Sequence, residues 1–468
     1  MQNPQHDNSI EAARIADVCA GRLSAGTPAA TAHGISTDTR TLRPGQAFFA
    51  LTGPNHDGHD YVRQAVEAGA PVLVVQQADV SAPPGVAVVR VEDTERALLR
   101  LAAWHRGRLD GTVLAVTGSY GKSTVKAMVG AVLSRVGPCT VAPASYNNRI
   151  GVGLTLLSAR PDDEFVVLEM GTNHPGEIDE LATAARPHVG VITAIAPVHL
   201  EGLGDLEGVK EAKAELIPHL LPDGALVLNA DDERCISLSS RYDGAVFTFG
   251  MREAADLRPT RVFPAGEGWT FDAVGQRFRV PVGARYNVMN AAAAVCASIA
   301  AGAGLSAVKE GLASFEPPPL RYERRVLAGV EFILDCYNSN PTALRAALRS
   351  FMRESSPGRK IVVCGDMLEL GESAPALHRQ AGRALADAGV DLLVAVGELS
   401  RHTVAGWHEA ALPSQEGVCF PEADPAWRPL LAELEPGDAV LLKGSRGVRL
   451  ETIVERIAER LEARKEAA

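Results

Sequence analysis

The segment from Val113 to Leu133, VLAVTGSYGKSTVKAMVGAVL, constrains the fold more than any other part of the chain. An apolar run ending at Thr117 is typical of a buried strand, a glycine-rich turn follows it, and the remaining residues have the pattern of a helix. Such a turn directs backbone N–H groups and the positive end of the helix dipole at one point. The segment therefore predicts an anion-binding loop in an α/β domain.

The side chains of this loop suit the phosphates of a nucleotide. Lys122 can reach the terminal phosphates, and the Ser123 hydroxyl can ligate an accompanying Mg²⁺. The loop is shorter than the general G-x-x-x-x-G-K-[ST] pattern, because Val116 stands where the first glycine would fall. A plain strand–helix turn is the alternative, but the lysine and hydroxyl at the start of a helix favour ATP. The predicted nucleotide-binding loop comprises Gly118, Ser119, Tyr120, Gly121, Lys122, Ser123 and Thr124.

Apolar runs and helical patterns alternate along most of the chain, which predicts α/β architecture with mostly parallel sheets. A length of 468 residues suits about three domains. Asp110-Gly111 is a plausible hinge, and the prolines of FEPPPLRYERR cannot continue a helix. We expect an N-terminal α/β domain over 1–109, a central P-loop domain over 110–316 and a Rossmann-like domain over 317–468.

Composition and charge exclude several classes of protein. A net charge of −11 argues against non-specific binding to nucleic acid or to anionic membranes. The chain has no 18-residue apolar run, and its start, MQNPQHDNSI, lacks the order of a signal peptide, so we expect a cytoplasmic protein without membrane insertion. Seven scattered cysteines without a C-x-x-C pair indicate neither a disulfide framework nor a zinc site. We expect them to be buried as small apolar residues.

Three polar residues follow the loop at positions where such sheets display ligand-facing side chains. Glu169 ends the apolar run EFVVLEMG, and a carboxylate there suits Mg²⁺. His199 follows the next strand-like run, and Lys213 shares a helix face with Lys210. Each also has an ordinary interpretation, as a surface carboxylate, a structural histidine and a solvated lysine. Asp366 and Ser445, at strand ends of the third domain, either face the same cleft or cap helices.

Several segments together resemble the Mur ligase family. They are TGSYGKST, SYNNRIGVGLTLL, LEMGTNHPGEI, HLEGLGDLEGVKEAKAEL, LNADD, DCYNSNP, GDMLELGE and LLKGSRG. Their order and spacing look like those of the family member that joins D-alanyl-D-alanine to UDP-N-acetylmuramoyl-tripeptide. The N-terminal STDTRTLRPGQAFFALTGPNHDGHDYVRQAVEAGA is similar to the family's uridine-nucleotide-binding domain. The resemblance covers nearly the whole chain, and the stretch 250–280 is its least distinctive part.

The resemblance implies roles for individual residues. Lys122 would bind the ATP phosphates, and Ser123 would hold a Mg²⁺ ion. Glu169 and His199 would hold a pair of Mg²⁺ ions, and Lys213 falls where the family has a lysine carbamylated by CO₂, which is a further oxygen ligand. The remaining expected contacts are Asn287, Asn290, Arg321 and Asp335 for the nucleotide, and Thr39, Arg40, Asn147, Asn148, Asn173 and His174 for the substrates.

Three short segments depart from the family pattern. The chain reads A-R-Y-N at 284–287 where the pattern is G-x-H-N, and Leu320 stands where a glycine usually precedes the arginine. It also reads L-D-C at 334–336 where the pattern is D-D-S. These changes affect the expected adenine and ribose contacts and leave the phosphate and metal residues in place.

The reaction implied by the resemblance is an ATP-dependent amide ligation through an acyl phosphate, and a monomer is the favoured state. Within the same class, the alternatives are the third-residue-adding Mur ligase and a folylpolyglutamate synthase-like ligase. The chain has no D-N-P-R motif, and GDMLELG favours the dipeptide-adding type. A P-loop kinase or a nucleotide-gated binding protein is the alternative from a different class.

Overall fold

The computed structural model describes residues 9–53 and 56–466, so the polar start of the chain used in the signal-peptide argument lies largely outside the described residues. Three main β-sheets occupy successive stretches of sequence. No helix among the described residues is long and apolar enough to cross a membrane. Short 3₁₀ turns occur at Gly58–Tyr61, Ile217–His219, Leu238–Arg241, Gly371–Ser373, Asp424–Ala426 and Arg446–Val448.

The first stretch folds around a small, mostly parallel sheet. Its strands are β1 (Ser9–Glu11), β2 (Arg22–Ala25), β3 (Thr31–His33), β4 (Ile35–Ser36), β5 (Ala47–Phe49), β6 (Val72–Val75) and β7 (Ala87–Arg90). Its helices are α1 (Ala12–Val18), α2 (Val62–Glu67) and α3 (Thr94–Arg106). The strand order is β2-β7-β6-β5-β4, with β2 antiparallel, and β1 pairs separately with β3. Helix α3 connects this unit to the next, because Leu98 packs in the first core and Leu99 in the second.

The second stretch contains a six-stranded parallel sheet. Its strands are β8 (Thr112–Thr117), β9 (Cys139–Val141), β10 (Phe165–Glu169), β11 (Val189–Ile192), β12 (Ala225–Asn229) and β13 (Ala245–Phe249), in the order β13-β12-β11-β8-β10-β9. Its helices are α4 (Lys122–Leu133), α5 (Arg149–Ser158), α6 (Glu177–Ala185), α7 (Leu200–Leu203), α8 (Leu206–Ala214), α9 (Glu233–Ser237), α10 (Asn287–Ala300) and α11 (Leu305–Ala313). The four central strands, β8, β10, β11 and β12, are apolar and buried on both faces, as a parallel sheet between helix layers requires.

A small antiparallel sheet follows β13 in the stretch where the sequence pattern is least distinctive. It consists of β14 (Thr260–Ala265), β15 (Gly268–Ala273) and β16 (Gln276–Val280). Phe271 and Phe278 stack with ring centroids 5.4 Å apart and join the core under α4 and α10.

The third stretch forms a second six-stranded sheet, and its Rossmann-like alternation of strands and helices agrees with the expectation. Its strands are β17 (Glu323–Leu327), β18 (Val330–Leu334), β19 (Lys360–Gly365), β20 (Leu392–Val396), β21 (Glu416–Phe420) and β22 (Ala439–Lys443), in the order β17-β18-β22-β19-β20-β21. Its helices are α12 (Pro341–Arg353), α13 (Ala374–Asp387), α14 (Ser400–His408), α15 (Trp427–Glu433) and α16 (Glu451–Glu466). Only β17 is antiparallel to its neighbour.

The cysteine expectation is right for most positions and wrong for one. All seven cysteines are free, and Cys139 is half-buried. Cys419 is exposed because it lies on β21, the edge strand of the third sheet, where one face has no covering layer. The buried cysteines are Cys19, Cys235, Cys296, Cys336 and Cys364.

Helices α13 and α14 cross at a very short distance because each has a glycine at the crossing. A Cβ atom at Gly382 would lie 1.8 Å from the Thr403 carbonyl oxygen, and one at Gly406 would lie 1.9 Å from the Arg379 carbonyl oxygen. Both obstacles are backbone atoms, so a side chain at either position would push the helices apart.

We therefore expect Gly382→Ala to lower the free energy of unfolding by about 2 kcal/mol through overpacking. Gly153→Ala is the matched control, because Gly153 is also a buried helix glycine but its Cβ would lie 3.4 Å from the nearest atom, Leu98 Cγ. Urea denaturation followed by circular dichroism measures both. Equal stability of the two variants would contradict the close crossing.

Candidate active site

The glycine-rich loop between β8 and α4 is fixed by the segment that follows β11. The Ser119 N–H donates to the Ala194 carbonyl at 2.8 Å, and the Ser119 hydroxyl exchanges hydrogen bonds with the backbone of Ala196 at 3.0 and 2.9 Å. The Thr193 hydroxyl donates to the Tyr120 carbonyl at 2.5 Å. The loop is thus held at the carboxyl edge of the parallel sheet, with the amino end of α4 free to face a ligand.

Both loop glycines are required by the backbone. Gly118 has φ 136° and Gly121 has φ 85°, conformations that other residues rarely adopt. A Cβ atom would also lie 2.1 Å from Thr193 Oγ1 at the first position and 2.6 Å from Asn290 Oδ1 at the second. The loop can therefore approach its neighbours this closely only with glycine at both positions.

Lys122 is the first residue of α4, and its ammonium folds back over the loop. Nζ donates to the Gly118 carbonyl at 2.8 Å. Burial lowers the pKa of Lys122, while the carboxylate of Glu169 opposes that change. A phosphate at the amino end of the helix would satisfy this poorly hydrated cation.

Glu169 ends β10 and is buried beside the loop. Its Oε1 accepts hydrogen bonds from Ser123 Oγ at 3.1 Å and from Asn147 Nδ2 at 3.1 Å. A hydroxyl and a carboxylate are hard oxygen donors, so these residues fit a Mg²⁺ ion.

Lys126, which the sequence did not single out, is the cation next to this carboxylate. Its Nζ lies 3.2 Å from Glu169 Oε2 and also donates to the Ala144 carbonyl. The exposed fractions of the two side chains are 4% and 1%. Burial lowers the pKa of Lys126, and the Glu169 carboxylate opposes this. The signal available in the sequence was a second lysine one helical turn after Lys122.

His199 lies at the amino end of α7 and faces the third sheet as well as the loop. Its Nδ1 pairs with the carboxylate of Glu369, which precedes α13. The hydrogen bond from His199 lowers the pKa of Glu369. The interpretation as an ordinary structural histidine therefore does not describe its position, because the ring connects two of the three folded units.

Lys213 is buried in α8, with 1% of its surface exposed, so the interpretation of a solvated helix face is wrong at this position. Burial first, and the positive charge of Lys122 second, hold the pKa of Lys213 well below its usual value. Within the described part of the chain its amine has no ion-pair partner. Lys210, on the same helix, pairs with Glu207 at 2.7 Å as a surface lysine does.

A metal site beside Glu169 would need ligands other than acidic and imidazole side chains. Among residues 9–53 and 56–466, no three His, Cys, Asp or Glu side chains come together as a metal site. Glu169 and Ser123 supply two oxygens to one point. Lys213 could supply a further oxygen ligand only if its amine were first modified to carry oxygen atoms.

The third unit contributes cationic groups to the opposite side of the cleft. Arg321 Nη2 donates to Ser123 Oγ at 3.3 Å, and its guanidinium lies 4.4 Å from the ring centroid of Tyr337. Lys443, a residue of the segment LLKGSRG that was not among the predicted site residues, lies 3.4 Å from Asp335 Oδ2.

The departure at position 286 places a tyrosine in this part of the cleft. Tyr286 Oη donates to Asp335 Oδ2 at 3.3 Å, and burial together with the Asp335 charge raises the pKa of Tyr286 well above its usual value. Asn290 Nδ2 donates to Asn287 Oδ1 at 2.8 Å on the adjoining helix α10. The expected nucleotide residues from two units are thus brought together.

The residues expected to contact substrate divide into two groups. Asn148 caps α5 by accepting from the Gly151 N–H at 2.9 Å. The backbone N–H groups of Asn173 and His174 both donate to Glu177 Oε2, at 2.6 and 3.2 Å. Asn148 and Asn173 line the central cleft, and His174 lies next to its lining in the chain.

Thr39 and Arg40 lie elsewhere, on the surface of the first unit. The Arg40 guanidinium pairs with Asp38 at 2.6 Å, and the Thr39 hydroxyl donates to Gln64 Oε1 at 3.3 Å. The structure does not bring them to the central cleft, so any ligand that contacts both regions must be long.

The central cleft is a cavity of about 570 Å³. It is lined by residues from the glycine-rich loop, from the strand ends of the second unit and from the third unit. The predicted residues that line it are Ser119, Tyr120, Gly121, Lys122, Ser123, Thr124, Asn147, Asn148, Glu169, Asn173, His199, Asn290, Arg321 and Asp335. Those placed behind or away from its lining are Gly118, His174, Lys213, Asn287, Thr39 and Arg40.

Comparison with known proteins gives three family models that match the chain in order. They are described as Mur ligase family, catalytic domain, at residues 31–106; Mur ligase middle domain, at 116–298; and Mur ligase, glutamate ligase domain, at 320–446. A UDP-N-acetylmuramoyl-tripeptide–D-alanyl-D-alanine ligase of Bacillus subtilis is 34% identical over 433 residues, covering 91% of this chain and 93% of the relative.

Solved structures agree with these matches over nearly the full length. MurF from Acinetobacter baumannii aligns with a TM-score of 0.88 at 31% identity, covering 96% of this chain and 99% of that chain. The MurF ligase from Thermotoga maritima, in complex with ADP, aligns with a TM-score of 0.80 at 28% identity, covering 92% and 98%.

The buried pair of Lys126 and Glu169 gives a testable expectation. Lys126→Met leaves the carboxylate without its nearest cation and should destabilise the protein by about 3 kcal/mol. The double variant Lys126→Met/Glu169→Gln removes both charges and should recover most of this loss. Lys309→Met, at an exposed position of α11, is the control for loss of a lysine. Additive effects of the two substitutions in urea denaturation would show that the pair does not interact.

Proposed function

The chain belongs to the Mur ligase family, and from that premise we propose that it is the ATP-dependent ligase that joins D-alanyl-D-alanine to UDP-N-acetylmuramoyl-tripeptide. The product would be UDP-N-acetylmuramoyl-pentapeptide, a peptidoglycan precursor, with ADP and phosphate. The observation that carries the proposal is the single cavity in which the loop residue Lys122, the strand-end residue Glu169 and Arg321 of the third unit meet. The similarity to relatives that bear this activity in their names supports the choice of substrates.

The proposed reaction has two steps, and the cavity groups suit both. The terminal carboxylate of the tripeptide attacks the γ-phosphorus of ATP, its bond to ADP breaks, and an acyl phosphate forms. The amine of D-alanyl-D-alanine then attacks the acyl carbon, phosphate leaves, and the amine loses a proton. The first step brings two anions together, so it depends on fixed positive charge. Lys122 and Arg321 would supply that charge from opposite sides of the cleft.

The acyl phosphate must be kept from water until the amine arrives. The cavity lies between the second and third units, and contacts such as Arg321 with Ser123 and Tyr286 with Asp335 bridge them. Closure of such a cleft excludes water from a reactive intermediate. Thr39 and Arg40 would hold the uridine end of the substrate, at a distance that its long UDP-sugar-peptide structure can span.

Two Mg²⁺ ions are part of the proposal. Ser123 and Glu169 would hold one, and Glu169, His199 and a carbamylated Lys213 would hold the other. Bound Mg²⁺ would neutralise phosphate charge as a Lewis acid. Support comes from two hard oxygen donors, the Ser123 hydroxyl and the buried Glu169 carboxylate, whose oxygens lie 3.1 Å apart.

Carbamylation of Lys213 is supported by its burial and by its neighbour. Only a neutral amine adds to CO₂, forming an N–C bond and releasing a proton, and burial together with the Lys122 charge lowers the pKa of Lys213 and so favours the neutral amine. The carbamate is anionic, so it would convert the repulsion between Lys213 and Lys122 into attraction. We also propose that the chain divides into three domains, at residues 1–109, 110–316 and 317–468. Each domain would bind one of the three substrates.

The activity is tested by measuring ADP release. Release should require both UDP-N-acetylmuramoyl-tripeptide and D-alanyl-D-alanine, and Lys122→Ala should lower kcat/KM at least about a hundredfold because a charge that stabilises the transition state is lost. Lys309→Ala is the control. Assays with tripeptides ending in diaminopimelate or in lysine identify the third residue.

Other products would contradict this assignment. Equally strong turnover with a single free amino acid would indicate a different ligase of the family. A phosphorylated product without an amide would indicate a kinase, and hydrolysis independent of any acceptor would indicate a nucleotide-gated binding protein.

Carbamylation is tested on the resting protein. In buffer containing ¹³C-bicarbonate, a carbamate carbon resonance should appear in the wild type and be missing from Lys213→Met. Lys210→Met should keep the resonance, because Lys210 is a surface lysine on the same helix. An unchanged spectrum in Lys213→Met would rule out this lysine as the carbamylated one.

A further inference from the structure

The segment GDMLELG, residues 365–371, is a loop with a firmly anchored base. It follows β19, and the Met367 N–H donates to His378 Nε2 at 3.0 Å, while the Leu368 N–H donates to Ser445 Oγ at 3.0 Å. The Asp366 carboxylate accepts from the Ser400 hydroxyl at 2.6 Å and from the Leu399 N–H at 3.1 Å, so it holds the start of α14. Asp366 and Ser445 thus act as structural supports of this loop.

The tip of the loop leaves the third unit and contacts the second. The Glu369 carboxylate pairs with His199 Nδ1, and the Glu201 N–H donates to the Glu369 carbonyl at 3.4 Å. Two contacts, one from the side chain and one from the backbone, therefore join Glu369 to the start of α7.

Both residues of the ion pair have an unusual backbone conformation. His199 has φ 51° and Glu369 has φ 63°, in the left-handed region that residues other than glycine seldom adopt. Such strain of about 1–3 kcal/mol per residue persists only where the surroundings enforce it, and it is concentrated at functional sites. An incidental surface ion pair, worth about 0–1 kcal/mol, would not offset it.

The two ring nitrogens of His199 have different surroundings. A carboxylate can only accept, so Nδ1 must carry the proton that is shared with Glu369. In the tautomer that this hydrogen bond selects, Nε2 is the nitrogen left for another ligand, and His199 lines the central cavity, whereas Glu369 does not. Histidines that bind metals commonly donate from the other nitrogen to a carboxylate, which fixes both the tautomer and the ring orientation.

We propose that Glu369 is a positioning residue, which orients His199 so that Nε2 is available to the metal and which does so across the interface between the second and third units. The metal site is then complete only when the third unit is docked on the second. This inference rests on the proposed function, because it takes His199 to be a metal ligand there.

The experiment compares Glu369→Gln with Glu372→Gln in the full-length protein. Glu369→Gln keeps the size of the side chain but removes the charge, and Glu372 is an exposed glutamate three residues along. Mn²⁺ is the probe, and its binding in the presence of ADP is followed by electron paramagnetic resonance, without turnover. Glu369→Gln should weaken Mn²⁺ binding about tenfold or more, and Glu372→Gln should bind as the wild type does.

A second readout reports on the histidine itself. In ¹⁵N-histidine spectra, with His199→Gln used to assign the resonances, Glu369→Gln should shift the Nδ1 resonance of His199. Unchanged Mn²⁺ affinity, even with a lower thermal midpoint, would overturn the proposal and leave Glu369 as a docking contact. Tighter Mn²⁺ binding would overturn it too, since Glu369 would then compete with the metal for His199.

The ligase assay of the wild type is run in parallel and separates the two proposals. Wild-type protein that ligates and binds Mn²⁺, with unchanged binding in Glu369→Gln, contradicts the positioning role alone. Wild-type protein that binds Mn²⁺ but forms no amide contradicts the proposed function, while a tenfold loss in Glu369→Gln still supports the positioning role.

Discussion

The buried carboxylate of Glu169 is the charge on which the central site depends. A buried charge is costly unless it is paired and hydrogen-bonded, and this one is held by Lys126, Ser123 and Asn147. Lys122 and Arg321 add further positive charge around it. Three cations, Lys122, Lys126 and Arg321, therefore lie around the single carboxylate of Glu169. An anionic ligand such as a nucleotide triphosphate complements these cations, which is how an acidic protein with a net charge of −11 can bind phosphates locally.

The site is also distributed over two folded units, and this explains why its parts are far apart in sequence. The parallel sheet brings the ends of β8 and β10 to one edge, which places the loop beside Glu169. The third unit then supplies Arg321 from the turn before β17 and Asp335 from the end of β18. Neither unit alone encloses the cavity. Binding and domain docking are therefore coupled through the same side chains, and Glu369 extends this coupling to His199.

The features that the sequence predicted correctly are those that depend on residues close together in the chain. The parallel strands, the glycine-rich loop and the strand-end position of Glu169 follow from apolar runs and turn residues, and the structure has them where expected. The burial of Lys213 could not be read from its helix, because α8 is covered by neighbours distant in sequence. Lys126 does have a local signal, since it follows Lys122 by one turn of the same helix. The contact of Glu369 with His199 joins residues 170 positions apart, and no periodicity indicates it.

The departures from the family pattern at 320, 334 and 336 have a common physical origin. Leu320 has φ 59°, which explains why glycine is usual there and implies a backbone cost of about 1–2 kcal/mol for leucine. Its side chain is buried in the same core cluster as Leu334 and Cys336, the two positions where the pattern has polar residues. Burying a leucine side chain is worth about 1.5–3 kcal/mol, enough to offset the strain. The three changes thus form one apolar cluster that holds the turn before Arg321, and the guanidinium can still reach Ser123.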